Sequence, residues 1–164
     1  MTTLVKAATI ESSLYNSLAT LTGTQTLVNK TLKVTKEAVT VTNTAAAGSL
    51  NFDVATQAIM VYNTATSNFN IAVRGDANTN LNSVLAVGES IGICLIVPNG
   101  NVPYYLTAIS IDNVAQNPIF QSGVVFFAGN MNSTDMYNLF IIKTGTANAT
   151  TGLYQIYASQ TKFA

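Results

Sequence analysis

The sequence predicts an all-β protein, an antiparallel β-sandwich of jelly-roll-like build preceded by a short N-terminal arm. Three observations predict it. From about residue 37, apolar and polar residues alternate at the period of a half-buried strand. Turn-forming residues interrupt that alternation at short, regular intervals. Thr and Asn together make up about one residue in four. Thr is β-branched and suits a pleated surface, and Asn suits the turns between strands.

In order along the chain, Val39 and Val41 alternate with threonines, and Leu50, Phe52 and Val54 alternate with Ser49, Asn51 and Asp53. Further strands are expected over 58–62, 69–73, 90–97 and 104–111, the last with Tyr105, Thr107, Ile109 and Ile111 on one face. A short one over 117–121 and two more over 137–143 and 153–159 complete the set. Breaks are expected at 47–49, 74–76, 98–101, 129–130 and 144–146. Asn80 to Ala86 fits a single helical turn ahead of Gly88. No internal repeat of fixed period is visible.

Residues 1–36 read differently and are assigned to the arm, with 37–164 as the sandwich domain. The arm holds Lys6, Lys30, Lys33 and Lys36 and shows no alternation. Ile10, Leu14, Leu18 and Leu21 recur at helical spacing, so a short helix is expected over about 10–21, ended by Gly23. Such a helix is marginal alone and needs a partner, either the body of its own chain or other subunits. An extended linker should follow. Leu27 and Leu32 join the four stripe residues as candidates for oligomerisation or docking.

Charge limits the function classes. Only 9% of residues are charged, and seven basic residues balance seven acidic ones. No net field would steer this chain to nucleic acid or to an anionic membrane. No run approaches the length of a membrane helix, and the first residues lack the apolar core of a signal peptide. A surface with so little charge offers little repulsion between copies and favours self-association.

Catalytic chemistry is hard to assemble. The chain has no His, which removes the commonest acid–base group and the usual zinc ligand. Its one Cys, Cys94, lies in the apolar run Ile91–Val97 and reads as a small buried hydrophobe. The seven acids are scattered. Asp76 to Asn80 opens like a calcium loop, but Leu81 stands where its glycine belongs and Val87 where its bidentate acid belongs. The expectation is therefore no catalytic residue, no metal ligand, no cofactor and no enzyme. Weak candidates for ligand contact are Asn99, Asn101 and Tyr104, at the turn where a tyrosine ring and neutral amides could meet a sugar.

One segment carries a resemblance. Thr22-Gly-Thr-Gln-Thr-Leu-Val-Asn-Lys-Thr-Leu32 resembles a T-G-T-x-T-L-T-N-K-T-L segment common in tail-fibre and related virion proteins of tailed phages, with Val28 where Thr is usual. Residues 48–54, 80–86, 104–112, 140–143 and 158–164 are similar to stretches of small virion proteins from phages of cyanobacteria and other aquatic bacteria. The resemblance implies a homotrimeric structural protein on the virion surface, a fibre or short tail or neck appendage docked on other virion proteins by its arm. The missing shaft keeps a capsid decoration or cement protein as the alternative. A receptor-binding lectin-like module that contacts a host surface glycan is the second alternative.

Overall fold

Residues 36–164 are described by a computed structural model. The helix expected over 10–21, the extended linker, and the candidates Ile10, Leu14, Leu18, Leu21, Leu27 and Leu32 lie outside the described residues.

The described residues form ten strands: β1 (Val39–Val41), β2 (Ala45–Asp53), β3 (Ile59–Val61), β4 (Thr64–Arg74), β5 (Ser90–Pro98), β6 (Leu106–Ile111), β7 (Val114–Ala115), β8 (Ile119–Phe120), β9 (Thr134–Thr146) and β10 (Gly152–Phe163). A one-turn helix, α1 (Leu81–Val84), and a 3-10 turn (Gln121–Gly123) complete them. One sheet has six strands in the order β1-β3-β5-β9-β10-β8, and the other four in the order β2-β4-β6-β7. The expected all-β sandwich is the architecture.

Strand direction corrects the expected antiparallel, jelly-roll-like layout. Both sheets are mixed. β1/β3, β3/β5, β2/β4, β4/β6 and β8/β10 are parallel pairs. Only β5/β9, β9/β10 and β6/β7 run antiparallel. The cause lies in the links. Residues 42–44 and 62–63 are as short as hairpin loops, yet neither folds β2 back on β1 or β4 back on β3; each passes the chain to the opposite sheet. The chain returns to the first sheet one coil later, in its original direction. β1–β2, β3–β4 and β5–β6 are thus three stacked coils. Val39 stacks on Ile59 and Ile59 on Cys94, so the second offset is nearly twice the first. Unequal coils leave no sequence repeat. The long β9–β10 hairpin closes one side, its loop fixed by Asn148 Oδ1, which accepts from the Thr150 and Thr151 amides at 2.9 Å.

Two expected breaks and one expected face are also corrected. Gly48 lies inside β2, where the register slips against β4 and its φ of +61° suits a residue without a Cβ. The expected break at 144–146 belongs to β9, and the turn follows it. In β6, Thr107 is bulged out of register with β4, so Leu106, Ile109 and Ile111 are buried while Thr107 faces solvent. Tyr105 and Thr107 are thus out of phase with Ile109 and Ile111 rather than on one face with them.

The core lies between the sheets. Leu50, Phe52, Phe69, Ile71 and Val73 come from the four-stranded sheet, and Ile93, Leu95, Val97, Leu139 and Ile141 from the six-stranded one. Burial of each such side chain contributes roughly 1.5–3 kcal/mol. Phe126 stands edge-on between Phe120 and Tyr137, with centroids at 5.0 and 5.2 Å.

Both sheets hold α1. The helix is too short to satisfy its own ends. Asp112, just after β6, accepts from the Leu81 and Asn82 amides at 2.7 and 3.0 Å. Lys143, buried on β9, donates to the Leu85 and Asn82 carbonyls at 2.8 and 2.6 Å. One carboxylate caps the start and one ammonium the end, each matching the sign of the helix dipole there.

Candidate functional site

The outward faces of the two sheets differ in chemistry. Side chains alternate inward and outward along each strand, and cross-strand register aligns the outward ones in rows. On the four-stranded sheet the outward positions include Ser49, Asn51 and Asp53 on β2, then Asn70, Ala72 and Arg74 on β4. Arg74 Nε donates to Asp53 at 2.6 Å, the only ion pair among the described residues. The Asp53 carboxylate raises the Arg74 pKa. This face is an ordinary solvated surface.

On the six-stranded sheet one outward row runs Val41–Val61–Ile96–Met136–Thr161. A second runs Val39–Ile59–Cys94–Asn138–Ser159, and a third Gly92–Phe140–Tyr157–Ile119. Among the described residues, no outward strand position on this face is charged. Val41 is 72% exposed, and Phe140 and Tyr157 are 46% and 44% exposed. Such aligned apolar surface is the kind found where proteins meet ligands or other chains.

A groove of about 640 Å³ crosses the second and third rows. Gly92, Cys94, Asn138 and Ser159 line it, with Phe140 and Tyr157 beside them. Ile119 and Gln121 stand at one end, and Glu37, Ala58 and Ile59 at the other. Partial burial pushes the Cys94 thiol pKa up, which keeps it protonated and unreactive.

A buried polar cluster lies beneath the end of the same sheet. Asp135 on β9 is 0% exposed. Its Oδ2 accepts from Gln160 Nε2 at 2.9 Å and from the Tyr137 hydroxyl at 3.3 Å. The Asn99 amide favours the charged carboxylate, yet neither Asp135 Oδ1 nor Asn99 Nδ2 completes a hydrogen bond to a described residue. Burial outweighs these partners and raises the Asp135 pKa. Burial, followed by the Asp135 charge, raises that of Tyr137. Gln160 also accepts from the Phe127 amide and donates to the Phe127 carbonyl. Lys162 donates to the Ala128 carbonyl and sits 3.0 Å over the Phe127 ring. The cluster thereby ties the loop before β9 to β10, while Val124, Val125 and Phe127 stay exposed.

The ligand-contact candidates from the sequence do not form an exposed site. Asn99 is 6% exposed, and its Oδ1 accepts from the Tyr104 amide at 3.0 Å, so it holds the turn from inside. Tyr104 is half-buried against the core. Asn101 alone is exposed. The Asp76–Asn80 segment is a polar turn: Asp76 Oδ1 accepts from the Asn78 amide at 2.7 Å, and that bond lowers the Asp76 pKa. Among the described residues, no cluster of three His, Cys, Asp or Glu stands ready to hold a metal.

Sequence reasoning missed the groove, because its residues come from separate strands. It also missed the apolar outward rows, for which a signal did exist: Ala58–Tyr62 and Ile91–Val97 are apolar without interruption. Such runs belong to strands covered on both sides. No protein-family model, no curated protein and no solved structure matches this chain.

Proposed function

We propose that this chain is a non-enzymatic structural protein of a tailed-phage particle, a homotrimeric appendage whose copies meet through the apolar end of the six-stranded sheet. The single observation that carries self-association is the outward row Val41–Val61–Ile96–Met136, four adjacent apolar side chains on strands that carry no outward charge. Three copies of such a row can meet around a threefold axis without desolvating a charge, and the chain as a whole has none in excess. The likeness of Thr22–Leu32 to virion segments supports the phage setting and the trimer. The arm would dock on other virion proteins.

Two experiments test this. Light scattering of the full chain at micromolar concentration should return three times the monomer mass. A monomer or a dimer would defeat the trimer. Labelled antibody on intact particles should decorate the tail or neck. Decoration spread over the head would replace the appendage with a capsid decoration protein, and unlabelled particles would remove the virion reading.

A further inference from the structure

The groove across the second and third rows differs from the row assigned to self-association. Its lining mixes two kinds of group. Phe140 and Tyr157, cross-strand neighbours on β9 and β10, present half-exposed rings side by side. Asn138, Ser159 and Gln121 place an amide, a hydroxyl and a second amide along the same lining. None of the three side chains bonds to another described residue. An apolar occupant would cover these groups and leave them unpaired, at a cost of about 1–3 kcal/mol each. The occupant that suits the lining has apolar faces for the rings and neutral hydroxyls for the amides. A pyranose ring has both.

We propose that this groove binds a neutral oligosaccharide, stacked on Tyr157 and Phe140 and hydrogen-bonded by Asn138, Ser159 and Gln121. Two further observations fit. Gly92 forms part of the lining, and a Cβ built there meets nothing within 4 Å, which leaves room for a ring beside Phe140. The volume of about 640 Å³ falls in the range of small-ligand sites. Glu37 is the one carboxylate in the lining. It accepts from a sugar hydroxyl but has no second carboxylate there with which to hydrolyse a glycosidic bond. The site is distinct from the turn at Asn99, Asn101 and Tyr104. The proposal does not rest on the trimer or on the virion, because it is read from ligand binding alone.

Saturation-transfer NMR on the full chain, with gluco-oligosaccharides and N-acetylhexosamine oligosaccharides as probes, tests it. At least one series should bind the natural sequence. Tyr157→Ala should weaken that binding about tenfold or more, the loss of one central aromatic contact. Gly92→Leu should abolish it by filling the groove, with melting temperature and oligomeric mass unchanged. Tyr104→Ala should bind normally. Silence from both series overturns the proposal, and so does undiminished binding by Gly92→Leu. If Gly92→Leu instead breaks the oligomer, the groove is covered by a second copy and not by sugar. Uptake of an apolar dye, displaced by neither sugar series, would make it an apolar-ligand site and equally end the proposal.

Discussion

The two sheets share one core, yet they face the outside with different chemistry. The four-stranded sheet shows Ser, Asn and Thr and one cross-strand ion pair. The six-stranded sheet shows Val, Ile, Met, Phe and Tyr in aligned rows. Both faces are built by the same coils, since each coil contributes one strand to each sheet. Core and outward chemistry are therefore encoded by alternate positions of the same strands. In β2 and β4 the outward positions are mostly polar. In β3, β5 and β9 they are mostly apolar.

The contrast can be broken most directly with charge. Ile96→Asp places a carboxylate in the middle of the apolar row and should cost about 3 kcal/mol or more of association free energy. Light scattering should then return a monomer, while the matching change on the other face, Asn70→Asp, leaves the assembly intact. Equal effects from the two would erase the distinction between the faces.

A second change separates folding from association. Lys143→Met removes the donor from two carbonyls at the end of α1 and should destabilise the fold by about 2–3 kcal/mol, read from the denaturant midpoint. Below the transition the oligomeric mass should stay the same. A loss of mass without loss of stability would put α1 at the interface.

The third test is pH, and it addresses the interior that both faces cover. The folded-state pKa of Asp135 is raised, so the folded protein holds that proton at pH values where the unfolded chain has lost it. Stability from this group falls as pH rises from the ordinary Asp range through the raised value. Acidifying from neutrality into that window should raise the melting temperature. Asp76 has the opposite sign, but its lowered pKa acts only below the ordinary Asp range, and it is exposed. Asp135→Asn should flatten the slope. A natural protein whose melting temperature fell on mild acidification, in step with Asp135→Asn, would contradict the assignment.

The smallest effect belongs to the polar face. Asp53→Asn breaks the pair with Arg74, whose side chains are both partly exposed and screened by solvent, and should change stability less than any substitution above. Double-mutant analysis with Arg74→Gln measures the coupling. A coupling as large as the effect of Lys143→Met would mean that this face, too, is covered.

How far these features could be read from the sequence depends on what each requires. Period-two alternation marks strands whatever their partners, so Leu50/Phe52 and Phe69/Ile71/Val73 were legible as core. Strand direction was not legible, because alternation is identical in parallel and antiparallel sheets. It is decided by whether links such as 62–63 cross to the other sheet. Bulges at Gly48 and Thr107 arise from cross-strand register, which local sequence does not carry. α1 was legible because Asn80–Ala86 is a local pattern, but its caps, Asp112 and Lys143, are remote in the chain. The groove was the least legible feature. Gly92, Asn138 and Tyr157 become neighbours only after β5, β9 and β10 pair.

The coil has a consequence for how such a chain can change across generations. Residues 39–58 make one complete circuit, and Ile59 begins the next in register with Val39. Tandem duplication of that stretch would add one strand to each sheet, away from the β9–β10 hairpin. A lengthened gene would give a taller molecule with the same two chemistries on its flanks. Height would then change while the part of the groove on β5, β9 and β10 stays as it is, and only its Glu37 end would be remade.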